Sequence, residues 1–424
     1  MIDSINHPKR DWPLTPLRSI GLLGCVMMGY IGIYLCRKNL SVAMPMIQTG
    51  FGVTKAQAGI IASYSTVAYA AGKIFFGPVI DRFGGRLCFL WSLAGVAAFG
   101  ALGAFAPSLG LLAVAYSLNR FAGSAGWGSM VKQVPGWFPP RHLALALAVL
   151  SLSFVFGGVC ALILAGRIAA LSGNNWHAVM GLPSLVLLAI LLICFFVLPK
   201  NPQPVGTGTK GEALPDSRWQ RLRDLAGTPQ FWVVCSLSFM LTITRETFNT
   251  WTVDFFKTEG GPEMTNQIAA FLSTPYDAAG AVGILLLGWL FDRVTGRKRA
   301  WMLFCTLALL AALIFELPAL SHAGRWQAVT AVGVIGFLSY GPYSLLAGIL
   351  SLEIRGPAYV ATVAGCVDAS GYLAGVISGY FFGRILDTGG YRLGFQFLAA
   401  MTLLAALLCL LLKSSPHQSL QQKS

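Results

Sequence analysis

Charge is what this 424-residue chain has least of: Asp, Glu, Lys and Arg together make up 11% of it, against roughly 25% in an ordinary soluble protein. Acids are the scarcer sign, 16 against 30 basic residues, for a formal net charge of +14. So little charge beside 55% hydrophobic residues excludes a water-soluble globule. Histidine is limited to His7, His142, His177, His322 and His417, none clustered. No His/Cys/Glu metal spacing, nucleophile elbow or phosphate-cradling glycine loop occurs, so an enzyme is excluded and no metal or cofactor is expected. The nine cysteines fall in apolar runs without any CxxC spacing, and read as small hydrophobes rather than a disulfide framework.

What is abundant is long apolar runs. Each is about 20 residues, enough to cross a ~30 Å hydrocarbon layer at 1.5 Å per residue. Twelve spans are expected, at 19–46, 56–80, 87–106, 109–132, 142–166, 177–199, 229–256, 265–291, 300–320, 326–350, 359–386 and 392–413. The polar, basic opening residues show no small-residue cleavage site, which points to an uncleaved first span. An even number of spans puts both termini on one side. Arg18, Arg82, Arg86, Arg141, Lys200, Arg218, Arg293, Lys298 and Arg355 share that side, while Lys55, Arg167, Lys257, Arg325, Arg384 and Arg392 fall on the other. The positive-inside bias therefore predicts cytoplasmic termini. It also accounts for the basic balance without a nucleic-acid partner. The expected organisation is a cytoplasmic segment (1–18), a six-helix half (19–199), a cytoplasmic linker (200–228), a second six-helix half (229–413) and a cytoplasmic tail (414–424), in a lipid bilayer and as a monomer.

The halves repeat. Gly77-Pro-Val-Ile-Asp81-Arg82-Phe-Gly-Gly85-Arg86 closes the second span, and Gly288-Trp-Leu-Phe-Asp292-Arg293-Val-Thr-Gly296-Arg297-Lys298 closes the eighth, 211 residues later. Asp81, Arg82, Arg86, Asp292, Arg293 and Arg297 are expected to cap and clamp helix ends at the cytoplasmic surface. This duplicated loop resembles the signature of the major facilitator superfamily, which implies an all-α membrane protein of two six-helix halves.

Charges inside the spans carry the functional signal, because each costs roughly 2.5–3.5 kcal/mol at a helix centre on insertion scales. The bases are Arg37, Lys38, Lys73, Arg120, Lys132 and Arg245; the acids are Glu246, Asp254, Asp277, Glu316 and Asp368. Arg37 and Arg245 each lie about 20 Å in from a helix end. They are 208 residues apart, close to the loop offset, so a pseudo-twofold axis brings both to one central cavity. Two planar guanidinium forks suit a tetrahedral oxyanion, with phosphate the first choice. The plainer alternative pairs each arginine with an acid, Arg245 with Asp277 or Glu246, to knit helices. Tyr30, Tyr34 and Arg37 share a helix face, as do Tyr69 and Lys73. These tyrosines are either packing or hydroxyl donors to an anion. Lys73 sits only about 12 Å from the cytoplasmic end, within snorkelling reach. Arg120, before Gly123, resembles the superfamily's fourth-helix arginine-glycine pattern, its plain reading being a packing ion pair. Lys38, Lys132 and Asp254 read as lining or interfacial.

Tyr34-Leu-Cys-Arg37-Lys38-Asn39, Gly72-Lys73, Arg245 with Trp251, Ala279-Gly280-Ala-Val-Gly283, Gly336-Phe-Leu-Ser-Tyr340-Gly341-Pro342 and Gly371-Tyr372 together resemble the organophosphate:phosphate antiporter family. That family includes the glycerol-3-phosphate and hexose-phosphate transporters. The resemblance implies that Arg37 and Arg245 hold a substrate phosphate, that Lys73 assists, that Tyr30, Tyr34, Tyr69, Tyr340 and Tyr372 line the cavity, and that Asp277 occupies a family acidic position. It implies alternating access, exchange of an organophosphate or phosphonate for inorganic phosphate, and a bacterial inner membrane. A family histidine would fall near Ser153, where this chain has none. Glu246 and Asp368 oppose a simple organophosphate; each could neutralise an arginine in the empty carrier or receive the ammonium of a zwitterionic substrate. A proton-coupled carboxylate symporter and a transporter-like membrane sensor are the competing readings.

Overall fold

In a computed structural model, the chain is helical throughout the described residues, which are 15–138, 140–199, 223, 225–294, 296–346, 350, 354 and 360–412. Most of the expected 1–18 segment and 200–228 linker, and all of the 414–424 tail, lie outside them. The first group of helices comprises α1 (Pro16–Phe51), α2 (Lys55–Phe83), α3 (Gly85–Ala104), α4 (Leu109–Gly123), α5 (Ala125–Gln133), α6 (Pro140–Leu171) and α7 (Trp176–Val197). The second comprises α8 (Pro229–Glu259), α9 (Asn266–Arg293), α10 (Arg297–Ala323), α11 (Arg325–Leu345), α12 (Val360–Leu373) and α13 (Phe382–Cys409). Among the described residues, eight helical stretches are long and apolar enough to cross a membrane. Their outer faces carry exposed large apolar side chains, such as Leu171, Phe196, Leu285 and Phe315, that a bilayer would cover.

Local chemistry sets the helix boundaries. Pro16 and Pro229 stand at helix starts, where the missing N–H costs nothing. Gly52 ends α1 at φ 63°, the left-handed conformation that glycine reaches without strain. Two residues on, Thr54 and Gln57 form a reciprocal capping box that starts α2. Gly390, also at φ 63°, breaks α13 in two, so a long helical stretch turns back on itself.

The two groups repeat one packing scheme. In the first, α2 packs on α4 and α3 on α7; in the second, α9 packs on α11 and α10 on α13. Across the groups, α6 meets α9, and α2 meets the π-helical turn Ile377–Phe381. That last contact is nearly backbone to backbone. A Cβ on Gly379 would fall 2.4 Å from Ser63 Oγ and 2.5 Å from the Gly59 carbonyl oxygen, so glycine is what lets these helices close.

Polar bonds seal the same end, away from the chain's first and last helix ends. Asp254 of α8 receives Lys55 Nζ at 2.5 Å, Gln48 Nε2 at 3.2 Å and the Tyr391 hydroxyl. Asp387 accepts the backbone N–H groups of Lys55 and Ala56 at 2.9 and 2.8 Å, a carboxylate placed against the positive end of α2. Trp251 also belongs here: its indole donates to the Ser378 carbonyl at 2.9 Å. Replacing Gly379 by Val should hold this end ajar while each helix group stays folded. Labelling of Ala58→Cys, at a position now fully buried, by a small impermeant thiol reagent should then rise; unchanged labelling would show that the glycine contact does not control closure.

Candidate anion site between the helix groups

Arg37 and Arg245 do converge, and what joins them is a carboxylate. Glu246 Oε1 accepts from Arg245 Nη2 at 2.8 Å and from Arg37 Nη2 at 3.5 Å. All three side chains are no more than 12% exposed. Adjacent positions on a helix point about 100° apart, so Glu246 can turn inward beside Arg245 and meet α1. Arg37 also donates to the Tyr34 hydroxyl at 3.3 Å. Its guanidinium lies 5.1 Å from the Tyr34 ring centroid and 5.4 Å from that of Tyr69. Arg245 stacks 4.2 Å over Tyr343, and its buried Nε has no hydrogen-bond partner among the described residues. The backbone at Arg37 is pinned by the Tyr116 hydroxyl, which donates to its carbonyl.

A second pair bridges the groups nearer the chain termini. Lys73 Nζ meets Asp368 Oδ2 at 2.9 Å, and both side chains are about 30% exposed. Tyr69 and Tyr372, with rings 5.0 Å apart, flank the ammonium at 5.5 and 5.0 Å. Asp368 therefore has a resident cation, the chain's own lysine.

Lys38 is more central than its sequence position suggests. Its Nζ donates to Asn249 Oδ1 at 2.6 Å and to both oxygens of Asp277 at 3.1 and 2.8 Å. Tyr340 donates to the same carboxylate at 2.7 Å. Gly158 leaves room for it, since a Cβ there would come within 2.8 Å of Asp277 Oδ2. Asp277 is thus the partner of Lys38 and not of Arg245.

The open space beside these groups measures about 380 Å³ and is lined by Arg37, Lys38, Ser65, Thr66, Tyr116, Arg120, Glu246 and Asn249 among others. An adjoining space of about 240 Å³ is lined by Tyr30, Tyr34, Arg37, Tyr69, Asn119 and Arg120. Tyr30 packs on Tyr34 and Trp127 at its edge. Arg245, Lys73, Asp277, Tyr340, Asp368 and Tyr372 line neither of these two spaces, and two further expected members point elsewhere. Ser153 is fully buried with its hydroxyl given to the Leu150 carbonyl at 2.5 Å. Trp251 serves the sealed end described above.

At the helix-end loops, Arg86 donates to the carbonyls of Leu198 and Phe195, both at 2.9 Å, at the end of α7. In the duplicate loop that work falls to Arg299, bonded to the Phe291 and Val294 carbonyls, while Arg293 stacks on Trp289 and Arg297 is exposed. Arg82 stacks on Phe83. The side chains of Asp81 and Asp292 lie outside the described set.

Two cation-bearing helices from repeated groups, meeting around a cavity, is the pattern of a known architecture. Residues 26–379 match the family model described as Major Facilitator Superfamily. The chain belongs to that superfamily. It is a multi-pass integral membrane protein of a transporter family. The chain is 26% identical to a probable hexose phosphate transport protein of Chlamydia pneumoniae, over 91% of this chain and 89% of that one. It is 25% identical to the hexose-6-phosphate:phosphate antiporter of Escherichia coli K12, over 88% and 85%, and 24% identical to the membrane sensor protein UhpC of the same organism, over 92% and 91%. Among solved structures, it superposes with a TM-score of 0.76 on a bacterial homologue of the human lysosomal transporter Spinster, 17% identical, over 95% of this chain and 100% of that one.

Glu246→Gln should leave two buried guanidiniums facing each other. Breaking a buried pair costs roughly 3–5 kcal/mol, so the melting temperature without anions should fall. Added phosphate or sulfate should restore more of it in the variant than in the parent, because the ligand then replaces the lost charge. An equal anion response in both would show that Glu246 does not compensate these arginines.

Proposed function

We propose that this protein is a secondary transporter that moves an organophosphate or phosphonate anion in exchange for inorganic phosphate, by alternating access. The observation that carries the reading is the shared Glu246 between Arg37 and Arg245 at the wall of a polar cavity. Names of the relatives, hexose-phosphate carriers and phosphate antiporters, support the same substrate class. In this reading the chain has twelve spans, with α4 and α5 forming one and α12–α13 divided at Gly390 into two. The six-plus-six halves are 19–199 and 229–413, both termini are cytoplasmic, and the protein works as a monomer in a bacterial inner membrane.

The empty site holds two guanidiniums against one carboxylate, so a positive charge is left over. Closing the halves on it expels water from an unbalanced ion at a cost of several kcal/mol. A phosphate oxyanion supplies the missing negative charge and takes both forks bidentately. It competes with Glu246 for the same N–H groups, and its differential affinity for the closed arrangement drives the change. Exchange rather than leak follows, since only a loaded site closes cheaply. Lys73 and Asp368, accessible on the cavity side, would contact the part of the substrate beyond its phosphate. With cytoplasmic termini the sealed end is the outer one, and the structure is the inward-facing state.

Uptake of labelled phosphate into proteoliposomes tests this. It should require internal phosphate, be inhibited by organophosphates or phosphonates more than by carboxylates, and fall roughly 10- to 100-fold in Arg37→Lys and Arg245→Lys, which keep the charge but lose the fork. Uptake driven by a proton gradient without internal phosphate would replace exchange by symport. Binding without any uptake would favour a sensor, as one relative is named.

A further inference from the structure

Arg120 is the one guanidinium at the cavity that none of these pairings uses. It is 5% exposed and lines both adjoining spaces. Among the described residues it makes no ion pair and no hydrogen bond; its contact is the Tyr69 ring, 4.5 Å from the guanidinium carbon. A guanidinium presents five donors and stays charged at any accessible pH. Burying it without an acceptor carries a heavy desolvation penalty, which a ring face offsets only in part. Among the described residues the packing ion pair, the plainer of its two readings, is not formed. A buried cation that lines polar space without an acceptor of its own among the described residues suits an anionic ligand.

Charge balance says which anion. Lys38 and Asp277 cancel, Lys73 and Asp368 cancel, and Glu246 cancels one of Arg37 and Arg245. Without Arg120 the cavity carries one formal positive charge; with it, two. Arg37 and Arg120 both face the Tyr69 ring, at 5.4 and 4.5 Å, so their guanidinium carbons are less than about 10 Å apart. Both also line the same two spaces, so one bound anion can face the pair.

We infer that Arg120 is a third anion-binding guanidinium, which makes this carrier selective for dianionic tetrahedral ligands, phosphate monoesters and phosphonates, over monoanionic diesters. This inference rests on the transport reading above and adds to it the charge state of the cargo. Tyr69, between the three cations Arg37, Lys73 and Arg120, holds the guanidinium of Arg120 against the cavity wall.

The test is competition against labelled phosphate exchange by full-length protein in proteoliposomes, at a fixed pH of about 8. Methyl phosphate is then a dianion, its second pKa being about 6, while dimethyl phosphate is a monoanion. The parent protein should prefer methyl phosphate by about tenfold or more. Arg120→Gln should reduce that preference to near unity by weakening methyl phosphate, with little change for dimethyl phosphate. Arg120→Lys, which keeps the charge, should retain most of it and covers the case in which the glutamine variant does not fold. An unchanged preference in Arg120→Gln, equal weakening of both ligands, or loss of preference in a folded Arg120→Lys would overturn the inference while leaving phosphate exchange intact. Equal binding of the two probes by the parent would overturn it too. Absence of phosphate exchange in the parent would instead remove the transport reading, and the inference with it.

Discussion

A single carboxylate shared by two arginines is the constraint around which the rest is arranged. Glu246 sits where α1 and α8 approach, and without it two buried guanidiniums would face each other uncompensated in an interior of low dielectric. The arrangement is deliberately incomplete in charge: two forks, one acceptor carboxylate, and an orphan Nε on Arg245. A fully satisfied network would be a helix clamp. In the proposed transport reading, this one stabilises the protein while leaving an anion something to gain.

Neighbouring pairs differ from it in accessibility, and the difference assigns their work. Lys38 and Asp277 are almost fully enclosed and further bonded by Asn249 and Tyr340, which suits a contact that orients α1 against α9. Lys73 and Asp368 are each about 30% exposed, which suits a contact that a ligand can enter. Lys55 and Asp254 lie at the sealed end with Gln48 and Tyr391, remote from any anion and able to break when the groups separate. The same chemical pair thus serves packing, recognition and closure, according to how much solvent reaches it.

Closure itself depends on the absence of side chains. Gly59, Gly375, Gly379 and Gly383 allow α2 to touch the segment around the π-helical turn at backbone distance. Small residues give contact area without trapping rotamers, so such a surface can seal and release at low cost. Helix N-terminal N–H groups of α2, capped by Asp387 from the other group, add a polar stop that fixes where the contact ends.

Apolar run length, the duplicated loop and the matched depth of Arg37 and Arg245 were all readable in one dimension, because hydrophobic thickness, repetition and position along a helix are properties of the chain alone. The resemblance carried by the Arg37-Lys38-Asn39 segment led to the same superfamily. Partner choice was not readable. Glu246 and Asp277 were equal candidates for Arg245, and only the packing of α1, α6, α8 and α9 gives Glu246 to the arginines and Asp277 to Lys38. Ser153 and Trp251 stood at plausible positions yet turn to the Leu150 and Ser378 carbonyls, since a helix position sets depth but its rotation is set by neighbouring helices. For Arg120 a packing ion pair and the superfamily's fourth-helix pattern were both open. That its contact among the described residues is a ring and not an acid depends on every surrounding helix at once, and such a fact exists only in the folded molecule.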